Sequence, residues 1–222
     1  LSEAGRVSAS LAHEIRNPLA AISGSVQVLK KELALSAEQR DLMDIVLKES
    51  ERVSHSLEQF LDFALPSKKV FSVISLTDIL DETLKIIQGG GELDGKVEVT
   101  GNFRSSDLHY YGNAGQFKQV FWNLIKNAVK AMPEGGRLRL DFLGKRKEVR
   151  IAVADSGRGM TEEDKEHLFE PFYSGFENGR GLGMSIVRRI VDDYDGRIDV
   201  RSELNKGTEV AITLPLRKPA GA

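Results

Sequence analysis

The stretch Val149-Arg150-Ile151-Ala152-Val153-Ala154-Asp155-Ser156-Gly157-Arg158-Gly159-Met160 alternates up to a carboxylate and then turns on two glycines. Alternation makes it a strand with Val149, Ile151, Val153 and Asp155 on one face. A carboxylate that continues an apolar stripe faces a core and needs a partner there. The exocyclic amine of adenine is such a partner, and Gly157 and Gly159 let the backbone come close to a flat base. An ordinary turn after a strand uses the same residue types, so the segment alone does not choose between the two.

Working outward, further strands are expected at 97–103, 108–111, 137–143, 197–201 and 209–214, where apolar or alternating runs are bounded by glycine and polar clusters. Helical periodicity is expected at 76–88, 116–132, 162–167 and 184–194. Helices and a mixed sheet in this order predict a two-layer α/β sandwich over residues 70–218. Residues 1–66 read differently, with only Gly5, Gly24 and Pro18 as breakers. A first helix is expected to end near Leu35. Ser36-Ala37-Glu38-Gln39 then forms a capping box that opens a second helix over about 37–64. The two helices predict an antiparallel hairpin with one apolar stripe per helix and too little mass to bury both; pairing two copies into a four-helix bundle solves that, and packing on the chain's own C-terminal region is the alternative. The segment 66–71, with Ser67, Lys68 and Lys69, reads as the linker.

Three more places share the chemistry of the opening stretch. On the helix over 116–132, Phe117, Val120, Phe121, Leu124, Ile125 and Ala128 fall on one side. Gln119, Asn123, Lys126, Asn127 and Lys130 fall on the other, within roughly 100°. Two amides one turn apart with lysines alongside suit a metal ion and phosphate. Asn178-Gly179-Arg180-Gly181-Leu182-Gly183-Met184 leads into the next helix, and glycines before a helix N-terminus offer N–H groups to phosphate. No strand runs directly into it and no Gly-Lys-Ser/Thr follows, so it is neither a dinucleotide nor a Walker loop. Between them, Leu168-Phe169-Glu170-Pro171-Phe172-Tyr173 reads as a hinged lid, and Asn205-Lys206-Gly207-Thr208 as a turn into the last strand.

In the first helix, Leu11, Ile15, Leu19, Ile22, Val26, Leu29 and Leu33 define an apolar face. His13 lies about 200° around from Leu11 and Ile15, facing out, with Arg16 and Asn17 on its side. Pro18 deprives the Glu14 carbonyl of its partner and predicts a kink one turn after His13. His55, His109 and His167 lack such a setting.

Composition narrows the classes. A net charge of −2 gives no field for nucleic acid or an anionic membrane. The absence of cysteine excludes thiol chemistry and fits a reducing compartment. No apolar run approaches the ~20 residues of a membrane span. The chain opens at Leu1 in mid-helix and reads as part of a longer protein, whose parent is free to carry a membrane anchor.

Taken together and in order, the four nucleotide elements and the lid resemble the N, G1, F, G2 and G3 boxes of the histidine-kinase ATP-binding domain, a GHKL (Bergerat) fold. The run His13-Glu14-Ile15-Arg16-Asn17-Pro18 resembles the H box of the kinase's dimerisation and phosphotransfer domain. The run from Ser8 to Leu29 looks most like sensor kinases of the nitrogen-regulation and pilus-regulation type.

The resemblance implies a cytoplasmic homodimer that uses ATP and Mg²⁺ and serves a response-regulator receiver domain. It makes His13 the nucleophile toward ATP and Glu14 the group that orients it and takes its proton. Asn17 is implied in dephosphorylating the regulator. Asn127 is implied as the Mg²⁺ ligand with Asn123 close by, and Asp155 as the adenine reader. Lys126, Lys130, Gly157, Gly159, Gly181, Leu182, Gly183 and Thr208 complete the implied nucleotide contacts. One departure stands out: Gly175-Phe176 occupy the place where relatives often carry Thr-Lys, and Arg180 is the candidate replacement cation, with Lys126 and Lys130 as the alternative.

Overall fold

The computed structural model describes residues 3–33, 35–64, 70–89, 93, 95–176 and 181–217, with side chains for all of these except 3–16, 51–52 and 54–64. The chain divides into two compact units, Leu1–Lys69 and Val70–Ala222.

The first unit is a helical hairpin of α1 (Glu3–Glu32) and α2 (Ala37–Ala64). The expected capping box forms: the Gln39 N–H donates to Ser36 Oγ at 3.2 Å and the Ser36 N–H to Gln39 Oε1 at 2.9 Å. α1 ends three residues short of the expected Leu35, because the Leu35 N–H turns back to the Leu33 carbonyl at 3.0 Å. The helices run antiparallel, since Lys30 pairs with Asp44 and Ser23 with Ser50. Helical backbone continues through Pro18, so the proline does not divide α1.

In the second unit, β2 (Val97–Thr100), β4 (Gly136–Gly144), β5 (Glu148–Asp155), β6 (Arg197–Glu203) and β7 (Gly207–Pro215) build a five-stranded sheet in the order β2-β4-β5-β7-β6. Only the β2–β4 pair is parallel. A separate antiparallel ribbon joins β1 (Ser72–Ser75) to β3 (His109–Gly112). The helices are α3 (Leu76–Gly89), α4 (Ala114–Ala131), α5 (Glu162–His167) and α6 (Gly183–Asp193). This is the expected two-layer sandwich.

Its core joins the alternating inner residues of the sheet to one face of each long helix. Leu138, Leu140, Val149, Ile151 and Ile212 are buried, as is the whole predicted apolar side of α4. Full burial of a residue such as Phe121 stabilises by roughly 1.5–3 kcal/mol. At its start α4 is capped by Asn113, whose side chain accepts the Gln116 N–H at 3.0 Å.

Two expectations change. The strand expected over 97–103 stops at Thr100, and a single 3-10 turn, Phe103–Ser105, follows. Phe103 is still buried at 2% exposure, so it kept the apolar pattern while leaving the ladder. The physical reason is Gly101: at φ +118 its backbone lies so close to β4 that a Cβ would sit 1.9 Å from the Leu140 oxygen. β1 was not expected at all. Among the described residues no helix is long and apolar enough to cross a membrane.

Candidate active site

The site starts from the end of β5. Register places Leu138, Asp155, Thr208 and Ser202 in one row across β4, β5, β7 and β6. The row continues the buried positions Leu140, Val153 and Val210, so it lies on the helix-covered face. Asp155 is half-buried there, and its Oδ1 accepts the Gly157 N–H at 2.9 Å. Burial pushes the Asp155 carboxyl above the usual carboxylate range, while the Gly157 and Thr208 N–H groups pull it back. A carboxylate held this way keeps unused acceptor capacity for a ligand.

Glycines set how closely the surrounding backbones approach. A Cβ on Gly157 would lie 2.4 Å from the Ala131 oxygen at the end of α4. The neighbouring Arg158 N–H donates to that same oxygen at 3.0 Å. Gly207, at φ +100, passes so near Asp155 that a Cβ would sit 1.9 Å from its carbonyl oxygen. The loop after β5 is thus held between α4 and the β6–β7 turn, and side chains larger than hydrogen would force it out of place.

On α4, Asn127 is half-buried and Asn123 is buried at 7% exposure. The sequence placed Asn123 on a polar face. It is covered because Gly183, the first residue of α6, sits on it: a Cβ at Gly183 would be 3.1 Å from Asn123 Oδ1. The N-terminus of α6 therefore meets the amide face of α4. Unpaired N–H groups and amide oxygens in one place suit a polyphosphate with its cation. Lys126 Nζ lies 5.1 Å over the Trp122 ring, and Lys130 is exposed. Leu182 is buried at 5% exposure, so only its backbone is placed to meet a ligand.

The described part of the lid is fastened at both ends. The Phe172 N–H donates to the Gly181 carbonyl at 3.0 Å, and Gly181 is in the left-handed region at φ +67. Tyr173 OH donates to Asp164 Oδ1 at 3.1 Å, and the Arg158 guanidinium lies 4.4 Å from the Phe176 ring centre while donating to the Gly175 carbonyl. Arg180 lies outside the described residues.

His13 and Glu14 lie on helical backbone in α1, but their side chains fall outside the described residues. Asn17 and Pro18 are exposed. The structure thus gathers Asn123, Asn127, Asp155, Gly157, Gly183 and Thr208 in the second unit, and leaves the His13 group in the first. Ser202 and Arg158 were missed as site-shaping residues. Counting back across the turn at Asn205–Thr208 would have paired Ser202 with Thr208. Nothing in the sequence marks the Arg158–Phe176 contact.

Two family models match the chain, one in each unit. Residues 3–67 match the family model for the His Kinase A (phospho-acceptor) domain. Residues 112–218 match that for the histidine kinase-, DNA gyrase B- and HSP90-like ATPase. Sporulation kinase D of Bacillus subtilis is 38% identical over 213 residues, 96% of this chain and 42% of the relative. The sensory histidine kinase/phosphatase NtrB of Rhodobacter capsulatus is 34% identical, over 93% of this chain and 60% of its own. The chain spans about half the length of the curated relatives it matches, 42% and 50% for sporulation kinases D and C. Among solved structures, full-length ShkA in complex with AMPPNP aligns at TM-score 0.80 and 26% identity, over 97% of this chain and 47% of that one. Histidine kinase ThkA in complex with response regulator protein TrrA aligns at TM-score 0.69 and 27% identity, over 98% and 63%. With its hairpin matched as a phospho-acceptor domain and its sandwich as the partnering ATPase, the chain belongs to the sensor histidine kinase family as a catalytic core.

Proposed function

We propose that the chain takes the γ-phosphoryl group of ATP onto His13 and passes it to an aspartate of a response-regulator receiver domain. The observation that carries this reading is the row through Asp155, closed by Gly157 and Gly207 and facing α4, in a chain that also holds the His13 hairpin. In the attack, a bond forms from a neutral imidazole nitrogen to the γ-phosphorus and the bridging P–O bond breaks, releasing ADP. Glu14 takes the imidazole proton. The transition state is loose, so positioning and charge neutralisation supply most of the catalysis. Mg²⁺ supplies charge neutralisation at the phosphates, and Asn127 is the side-chain oxygen that would hold it, with Asn123 beside it. ATP as substrate places the module in the cytoplasm.

The ShkA complex with AMPPNP supports the nucleotide, and the ThkA complex with TrrA supports the regulator as partner. The homodimer rests on the phospho-acceptor match and on the exposed apolar stripe of the hairpin. At the subfamily level, sporulation kinase D is more identical than NtrB, 38% against 34%. A nitrogen-regulation type of output, with Asn17 aligning water to dephosphorylate the regulator, is our reading of the H box.

The test uses ATP labelled at the γ-phosphate. An acid-labile, base-stable label is expected on the parent chain and not on His13→Ala. In the same assay Asn17→Ala is expected to keep the label yet slow loss of phosphate from a labelled regulator. Free phosphate without protein label would indicate a clamp-type ATPase instead, and neither product a nucleotide-binding scaffold.

A further inference from the structure

We propose that Ser202 sets the base specificity of the nucleotide pocket, by fixing the direction in which the Thr208 hydroxyl points its proton. The inference rests on the reading of Asp155 as the base-recognising carboxylate.

A hydroxyl has one proton to donate and two lone pairs with which to accept. Ser202 Oγ lies 3.1 Å from the Gly207 carbonyl oxygen, which can only accept, so the Ser202 proton is committed there. Ser202 Oγ also lies 2.8 Å from Thr208 Oγ1. With the Ser202 proton already used, that contact is made by the Thr208 proton. The Thr208 hydroxyl then has only its two lone pairs left to offer.

Thr208 stands directly opposite Asp155 in the β5–β7 register, and Ser202 directly opposite Thr208 in the β6–β7 register. The Asp155 carboxylate is also an acceptor. Two neighbouring acceptors in one row demand donors from whatever edge approaches them. The two N–H groups of a 6-amino purine can meet both acceptors, whereas a 6-oxo purine sets its O6 against them and carries its one edge donor, N1–H, to the side. The anchor for the relay is the Gly207 carbonyl, and its place is fixed because Gly207 is packed on the Asp155 backbone, where a Cβ would lie 1.9 Å away. Ser202 is therefore a positioning residue: it touches no nucleotide and acts through Thr208.

The experiment compares ATP with inosine triphosphate, which replaces the 6-amino group by an oxo group and the N1 acceptor by an N1–H, in competition against a fluorescent ATP analogue on the whole chain. Ser202→Ala is expected to lower the preference for ATP about three- to tenfold, the range of one hydrogen bond. Ser202→Thr keeps the hydroxyl on a strand-favouring residue and is expected to retain the preference. In a Thr208→Ala background, Ser202→Ala is expected to add nothing, which a structural role would not produce. An unchanged preference in Ser202→Ala, or an equal loss in both Ser202 variants, overturns the relay. Asp155→Asn separates the two levels. If it lowers the preference while Ser202→Ala does not, only the relay fails. If it leaves the preference unchanged, the reading of Asp155 fails as well.

Discussion

Asp155 shows how much a single residue discloses. Strand alternation put a carboxylate on the core side of β5, and that position is inherently costly for a charge. The structure bears out the placement: burial holds the folded-state pKa above the ordinary carboxylate range. A raised value means that the fold favours the protonated form. Stability is then full below the unfolded pKa of about 3.9 and is lost as pH rises through the raised value. Asp155→Asn, neutral at every pH, is expected to unfold at the same or a higher temperature than the parent at pH 7.5. The difference should close as pH falls into the acid range, while ATP affinity drops at least tenfold. Thermal unfolding against pH, with nucleotide titration beside it, checks both halves. A variant less stable than the parent at pH 7.5 would mean that the carboxylate is there for the fold. Ser202 was less legible: counting back across the turn pairs it with Thr208 only once the hairpin register is known, and a one-residue slip changes every partner.

At the scale of elements, the long amphipathic helices were legible, as was the four-residue β3, whereas β1 and the bend that ends β2 were not. α4 carries enough turns for its period to declare itself, and its buried side is the predicted one. β1 has four residues, of which Val73 is 62% exposed, so no stripe announces it. The lid illustrates a different gap. Gly175-Phe176 looked like a missing phosphate cation, but the structure gives the pair a packing role. A Cβ at Gly175 would meet Asp164 Oδ1 at 2.7 Å, and Phe176 lies under the Arg158 guanidinium. Asp164 is itself fixed by its capping box with Thr161, whose hydrogen bonds outweigh partial burial and hold its carboxyl below the usual range. Arg158 is exposed, so its cation–π contact contributes about 0.5–1 kcal/mol and its hydrogen bond a similar amount. Arg158→Ala is expected to release this end of the lid and to speed chymotryptic cleavage at Phe176 severalfold, with the thermal midpoint nearly unchanged. Cleavage at the parent rate would show that other contacts hold the segment.

At the scale of the molecule, the hairpin is incomplete as a single copy. Where α1 and α2 meet, Ser23 and Ser50 face each other through a 2.8 Å hydroxyl contact, and Ser50 Oγ also donates to the Leu19 carbonyl at 3.3 Å. The apolar residues are elsewhere: Ile22, Leu29, Leu33, Leu42, Ile45 and Val46 are each 43–58% exposed. Ile22, Leu29 and Leu33 belong to the stripe the sequence picked out on α1, and Leu42, Ile45 and Val46 recur at helical spacing on α2; spacing alone does not say which surface covers them. A second copy is the occupant that a helical hairpin with a self-complementary stripe can meet by two-fold symmetry. The double variant Leu42→Asp/Ile45→Asp tests this. In a lone hairpin both sites are more than half exposed and the change should cost little. In a paired bundle four carboxylates would enter one apolar interface, which is prohibitive for association. Sedimentation at micromolar concentration should find the parent as a dimer and the double variant as a monomer. Helical content should persist, and ATP binding should stay at the parent level, because the residues proposed to hold the nucleotide belong to the second unit. A parent that sediments as a monomer at tens of micromolar, or a double variant that still pairs, would mean that this stripe is covered by something other than a second copy.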